Sequence, residues 1–217
     1  MEQRVEFNTE LIKRYDVAGP RYTSYPTAVQ FNDGFDAEAY RRHTAASNSE
    51  LIPKPLSLYV HLPFCKSLCY YCGCMKKVTR HTHQADHYLT LLDREIEMQG
   101  ELFDHDREVV QLHFGRVTPT FHDDAQLKSL MEQLGRHFAL SRDDTREFSI
   151  EVDPRTVGVE RLAALAGMGF NRISLGVQDI DPAVQKAVNR IQDTESTLAM
   201  IEGSRQLGFN SVSVDLI

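Results

Sequence analysis

From Leu56 onward the chain keeps one rhythm: a short apolar run, then a longer stretch with helical spacing, repeated to the last residue. The runs are LSLYVHLPF (56–64), VVQLHFG (109–115), EFSIEVDP (147–154), NRISLGVQD (171–179) and NSVSVDLI (210–217). Each has the length and bounding residues of a strand. Between them, residues 83–103, 123–138, 158–168, 181–190 and 194–207 carry helical patterns. Over 123–138, Leu127, Leu130, Met131, Leu134 and Phe138 fall on one face, and Asp123 or Asp124 can cap the first turn. Pro182 suits a first helical turn. Such alternation predicts an α/β fold with a parallel sheet covered by helices. The segments GFNRIS (169–174) and GFNSVS (208–213) read as one junction used twice: a glycine ends a helix in the left-handed conformation and a strand follows.

Polar residues gather at the carboxyl ends of these strands: His61, His113 with Gly115, Glu151 with Asp153, Gln178 with Asp179, and Asp215. In parallel α/β barrels that end of the sheet is the active face. One such residue is explained by a strand emerging into solvent; the same feature on five strands points to a site.

Residues 1–55 differ. GPRYTSYPTAVQFNDGF holds neither period for long, and the region reads as an extended arm with a short helix over Thr9–Tyr15, ended by PKP at 53–55. The expected division is therefore an arm over 1–55 and an α/β domain over 56–217. The net charge of -7 argues against a general nucleic-acid or anionic-membrane binder. No apolar run approaches the roughly 18–20 residues of a membrane span, and the charged start MEQRVEFNTELIKRYD lacks the apolar centre of a signal peptide. A cytoplasmic, reducing location is the expectation.

All four cysteines lie in HLPFCKSLCYYCGC (61–74), spaced C-x3-C-x2-C-x-C as Cys65, Cys69, Cys72 and Cys74. In a reducing compartment so tight a group suits a metal or redox centre better than disulfides. Structural zinc usually draws on two separated knuckles, whereas iron–sulfur clusters take cysteines from one short loop. The spacing favours iron–sulfur and leaves zinc as the alternative. Cys72 and Cys74 are one glycine apart, so both reaching one cluster would strain the loop. Cys65, Cys69 and Cys72 would leave one iron of a four-iron cluster open.

C-x3-C-x2-C at the end of a first strand resembles the radical S-adenosylmethionine (SAM) enzymes. More specifically, YVHLPFCKSLCYYCGC, GPRYTSYPTA, SIEVDPR, FNRISLGVQD and VNR together resemble the oxygen-independent coproporphyrinogen III oxidases, from about residue 10 to residue 217. The CGC end and the RYTSYPTA arm set this branch apart from a related haem-chaperone branch, a non-catalytic alternative. The resemblance implies a partial (β/α) barrel, a 4Fe-4S cluster and two SAM molecules. It implies oxidative decarboxylation of two propionates of coproporphyrinogen III by a 5′-deoxyadenosyl radical, with an electron donor such as flavodoxin or ferredoxin and a monomeric chain. By motif position, Cys65, Cys69 and Cys72 resemble the cluster ligands and Cys74 a non-ligand. Tyr59 and Glu151 match contacts to the cluster-bound SAM, and Tyr71, Gln178, Arg190 and Asp215 match contacts to the second. Tyr22 and Tyr25 are placed to cover substrate. Apart from the resemblance, Arg190 reads as a solvated helix-end charge, and Cys74 as a small buried residue.

The chain departs from that pattern twice. Where the family carries GGGTP, residues 115–119 read GRVTP. Gly115, Arg116, Val117 and Thr118 then form the loop that meets the SAM amino group; Arg116 sets a positive charge beside an ammonium, and β-branched Val117 resists positive φ. Weakened SAM binding is the expectation. The sequence also stops after the fifth strand, before the family's sixth strand and C-terminal domain, and the expectation is a truncated and impaired form.

Overall fold

The computed structural model of the chain describes residues 7–17 and 26–217, with the side chain of Arg116 outside that description. Tyr22, Tyr25 and most of the RYTSYPTA motif therefore lie outside the described residues. By contacts the chain divides into Met1–Tyr40 and Arg41–Ile217. The first unit holds α1 (Thr9–Tyr15), capped by the Asn8 side chain, and a single 3-10 turn at Ala28–Gln30. A helix not expected from the sequence, α2 (Ala37–Asn48), follows.

The second unit is the alternating domain. Its strands are β1 (Leu56–Leu62), β4 (Glu108–Arg116), β6 (Glu147–Val152), β7 (Arg172–Gln178) and β8 (Ser211–Leu216). They form a parallel sheet in chain order, with the two-residue β5 (Ala139–Leu140) beside the start of β4. A separate parallel ribbon joins β2 (Phe64–Cys65) to β3 (Lys77–Val78). The helices are α3 (His83–Gly100), α4 (Asp124–His137), α5 (Glu160–Gly167), α6 (Pro182–Ala187) and α7 (Thr194–Gln206). Three of their starts follow the capping chemistry in the sequence. Asp123 and Gln126 close a reciprocal capping box on α4, and Asp181 and Asp193 cap α6 and α7.

The helix-to-strand junctions behave as read. Gly169 and Gly208 stand at φ 102° and 80°. Beyond each, Phe170 N donates to Leu165 O and Phe209 N to Ser204 O, the six-to-one bond that closes a Schellman motif. Both phenylalanines are buried in the core.

Register explains which face carries chemistry. Val60, Phe114, Ile150 and Ile173 lie side by side across β1, β4, β6 and β7. This row packs with Ile96, Leu127, Leu130, Leu134, Leu162, Leu165 and Met200 of the helices. Each such side chain contributes about 1.5–3 kcal/mol by leaving water. Side chains alternate along a strand, so the opposite face carries Tyr59, His113, Ser149 and Arg172 in one row. Parallel sheets are usually apolar on both faces; here only the helix side is.

Candidate functional site

The first strand feeds directly into the cysteine loop. Lys77 N donates to Pro63 O at 2.7 Å and Thr79 N to Cys65 O at 2.9 Å, so the β2–β3 ribbon pins both ends of the loop. Inside it, Cys72 N donates to Cys69 O at 3.1 Å, and Lys76 Nζ to the carbonyls of Cys72 and Cys74 at 2.8 and 3.4 Å. From outside, the end of α6 holds it: Tyr70 N donates to Val188 O at 2.9 Å and Asn189 Nδ2 to Leu68 O at 2.6 Å. Asn189 sits at φ 55°, a conformation that asparagine tolerates better than most residues. The VNR motif thus has a positional meaning that the sequence reading missed. Asn189 clamps the cysteines and turns the chain so that Arg190 enters the site.

The loop closes over a cavity of about 430 Å³ at the carboxyl ends of the strands. Cys65, Cys69, Cys72 and Cys74 line it, together with Tyr71, Val117, Thr118, Glu151, Gln178, Arg190 and Asp215. The three cysteines expected as ligands and seven of the ten expected cofactor contacts therefore share one wall. The sulfurs are not drawn to one point: among the described residues no three His, Cys, Asp or Glu side chains stand where a single metal ion could be held. Burial pushes the Cys65 thiol up, helped by Cys72 and opposed by Lys76 and Arg155.

The remaining expected residues stand differently. Tyr59 is not on the cavity wall; its ring stacks on His113, centroids 5.6 Å apart and 21° between planes. Gly115 is buried between β1 and β6 with an ordinary φ. A Cβ there would meet the His113 ring and Glu151 Oε1, so these two side chains could keep their places only over a glycine. Arg116 lies opposite Leu62 in β4, and its expected charge effect falls outside the described residues. The strain expected at Val117 does not arise: among the described residues only Gln178 and Asn189 combine a side chain with positive φ. Gln178, at φ 70° beside a register shift in β7, is strained at the cavity edge instead.

Arg190 is not a solvated helix-end charge. It is 9% exposed, with Nη2 donating to Gly176 O at 2.6 Å and lying 3.3 Å from Asp153 Oδ1. Asp153 is itself bound by Arg155, Nε to Oδ1 at 2.9 Å and Nη2 to Oδ2 at 2.6 Å. Burial alone would raise the Asp153 carboxyl, but the Arg155 hydrogen bonds and the Arg190 charge hold it below its ordinary value. Burial lowers Arg190, with Asp153 opposing. One carboxylate lies between two guanidinium groups, with Arg190 Nε buried and unpartnered. Sequence reasoning marked Asp153 only as a strand end and missed Arg155; the DPR triplet was the available signal.

Comparison with known proteins fits this geometry. The sequence profile of the Radical SAM superfamily matches residues 59–217. The chain is 46% identical over 217 residues to the oxygen-independent coproporphyrinogen III oxidase of Pseudomonas aeruginosa, covering 100% of this chain and 47% of that one. It is 50% identical over 144 residues to the protein of the same name from Mannheimia haemolytica, covering 66% of this chain and 94% of that one. The solved coproporphyrinogen III oxidase from Escherichia coli, titled a radical SAM enzyme, superposes with a TM-score of 0.82 at 44% identity, over 99% of this chain and 46% of that one. The chain thus spans about half the length of the first curated relatives it matches. The fold is the partial (β/α) barrel expected, and the chain belongs to the radical SAM superfamily, in the branch of the oxygen-independent coproporphyrinogen III oxidases.

Proposed function

We propose that this chain forms the cluster- and SAM-binding half of an enzyme that converts coproporphyrinogen III to protoporphyrinogen IX without oxygen. One observation carries the reading: the cysteine loop and the ends of β6, β7 and β8 converge on a single cavity. Cys65, Cys69 and Cys72 would hold a 4Fe-4S cluster. Three thiols spread along a pinned loop, with cationic Lys76 and Arg155 beside Cys65, suit an anionic cluster larger than one ion. The cluster and SAM supply the radical that removes hydrogen from a propionate side chain.

The residues do the positioning. Glu151 accepts hydrogen bonds from ribose hydroxyls, and the Thr118 region meets the amino acid end of the same SAM. Arg190 pairs with a carboxylate, with Asp215, Gln178 and Tyr71 around a second SAM. Val117 stands on the cavity wall where the family carries glycine, and is expected to weaken SAM binding by occupying space. An electron donor such as flavodoxin or ferredoxin, a cytoplasmic location and a monomeric state complete the reading. Among the described residues no helix is long and apolar enough to cross a membrane.

Single cysteine replacements test it. After anaerobic reconstitution with iron and sulfide, Cys65→Ala, Cys69→Ala and Cys72→Ala should each lose most of the bound iron and sulfide, while Cys74→Ala keeps it. Zinc at about one per chain without sulfide would contradict the reading. So would a requirement for Cys74 equal to that for the other three.

A further inference from the structure

His113 links the two residues expected to meet the cluster-bound SAM, and no role has yet been given to it. It stands on the polar face of β4, between Tyr59 of β1 and Ser149 of β6. Its Nδ1 lies 2.5 Å from Ser149 Oγ and its Nε2 3.1 Å from Glu151 Oε1. Tyr59 covers its ring face. Both ring nitrogens are therefore engaged, and so is one face.

The chemistry of the partners fixes the direction of the chain. An ionised carboxylate only accepts, so Nε2 must carry a proton toward Glu151. In the neutral ring Nδ1 is then the acceptor and Ser149 donates to it. The hydrogen-bond chain runs Ser149 to His113 to Glu151, whose side chain lines the cavity. Gly115 belongs to the same arrangement. The ring and the carboxylate fill the space over its missing side chain, so β4 provides both the histidine and the vacancy that lets it reach β6.

We propose that His113 is a positioning residue for SAM. It holds the Glu151 carboxylate in the rotamer that accepts from the ribose hydroxyls, with the Tyr59 ring stacked on its other side from outside the cavity wall. The inference rests on the reading that SAM binds in this cavity. It adds a requirement that the reading does not contain: a hydrogen-bond donor at the position of His113 Nε2.

Two near-isosteric variants separate positioning from simple packing. Gln at 113 brings an amide nitrogen close to where Nε2 stands; Asn reaches only the Nδ1 position. The chain, reconstituted and reduced, is titrated with SAM while the electron paramagnetic resonance signal of the cluster is followed. The wild type should respond, His113→Gln should respond with nearly the same midpoint, and His113→Asn should need about tenfold more SAM, the loss of one charge-assisted hydrogen bond. Iron content should be equal in all three. Equal weakening in both variants would reduce His113 to a packing residue and overturn the proposal, and equal retention would overturn it too. A wild-type signal indifferent to SAM, with the cluster intact, would instead overturn the reading of the cavity itself and the His113 proposal with it.

Discussion

His122 is buried between β4 and α4. It is 1% exposed, packed edge-on against Phe64 and Phe121, and neither ring nitrogen completes a hydrogen bond, although Gln126 approaches. Burial lowers its pKa from 6.5 to about 4, with Asp123 and Asp86 opposing. The unfolded chain thus binds a proton between those values that the folded chain refuses. Stability from this group is intact above the unfolded pKa and is lost as pH falls toward the folded one, by about 3 kcal/mol in all. Urea unfolding at stepped pH should show that acid limb, and His122→Leu should flatten it without loss at neutral pH; an unchanged slope in the variant would contradict the assignment. At this scale the sequence was read unevenly. The cysteines and Glu151 were legible because spacing and strand position mark them. Arg190 was misjudged by local reading, since what buries it is Asp153, far away in sequence.

At the scale of elements, periodicity carried the strands and the larger helices, because each buries one face against the same core. Helix α2 was missed since AEAYRRHTAASN carries few apolar residues to mark a face. The strands β2 and β3 are two residues each and exist through pairing with one another, which no local pattern reveals. The glycine junctions were legible and allow a clean test. Nothing lies within 4 Å of a Cβ built at Gly169 or Gly208, so alanine there meets no clash and only the left-handed backbone opposes it. Gly169→Ala and Gly208→Ala should each cost roughly 1–2 kcal/mol in thermal or urea unfolding. A neutral result at both would mean that the junctions relax to another conformation. Gly115 has the opposite logic, with an ordinary φ and a crowded Cβ, and so its need could not be read from turn chemistry.

The whole molecule separates a general charge from a local one. The net charge of -7 is spread over the chain, whereas on the cavity wall Lys76, Arg155 and Arg190 match Glu151, Asp153 and Asp215 beside the cysteines. That placement follows from topology: a parallel sheet in chain order brings every strand's carboxyl end to one side. The fold class followed from alternation alone, whereas the assembly of the cavity depended on long-range contacts such as Asn189 with Leu68 and Arg190 with Asp153. The central claim is that the cysteine loop and the strand ends make one site for a cluster and SAM together. It is tested most directly by reconstituting and reducing the chain anaerobically and recording its electron paramagnetic resonance spectrum with and without SAM. A four-iron signal whose shape changes when SAM is added is the expected result. A four-iron signal that SAM leaves unchanged would contradict it.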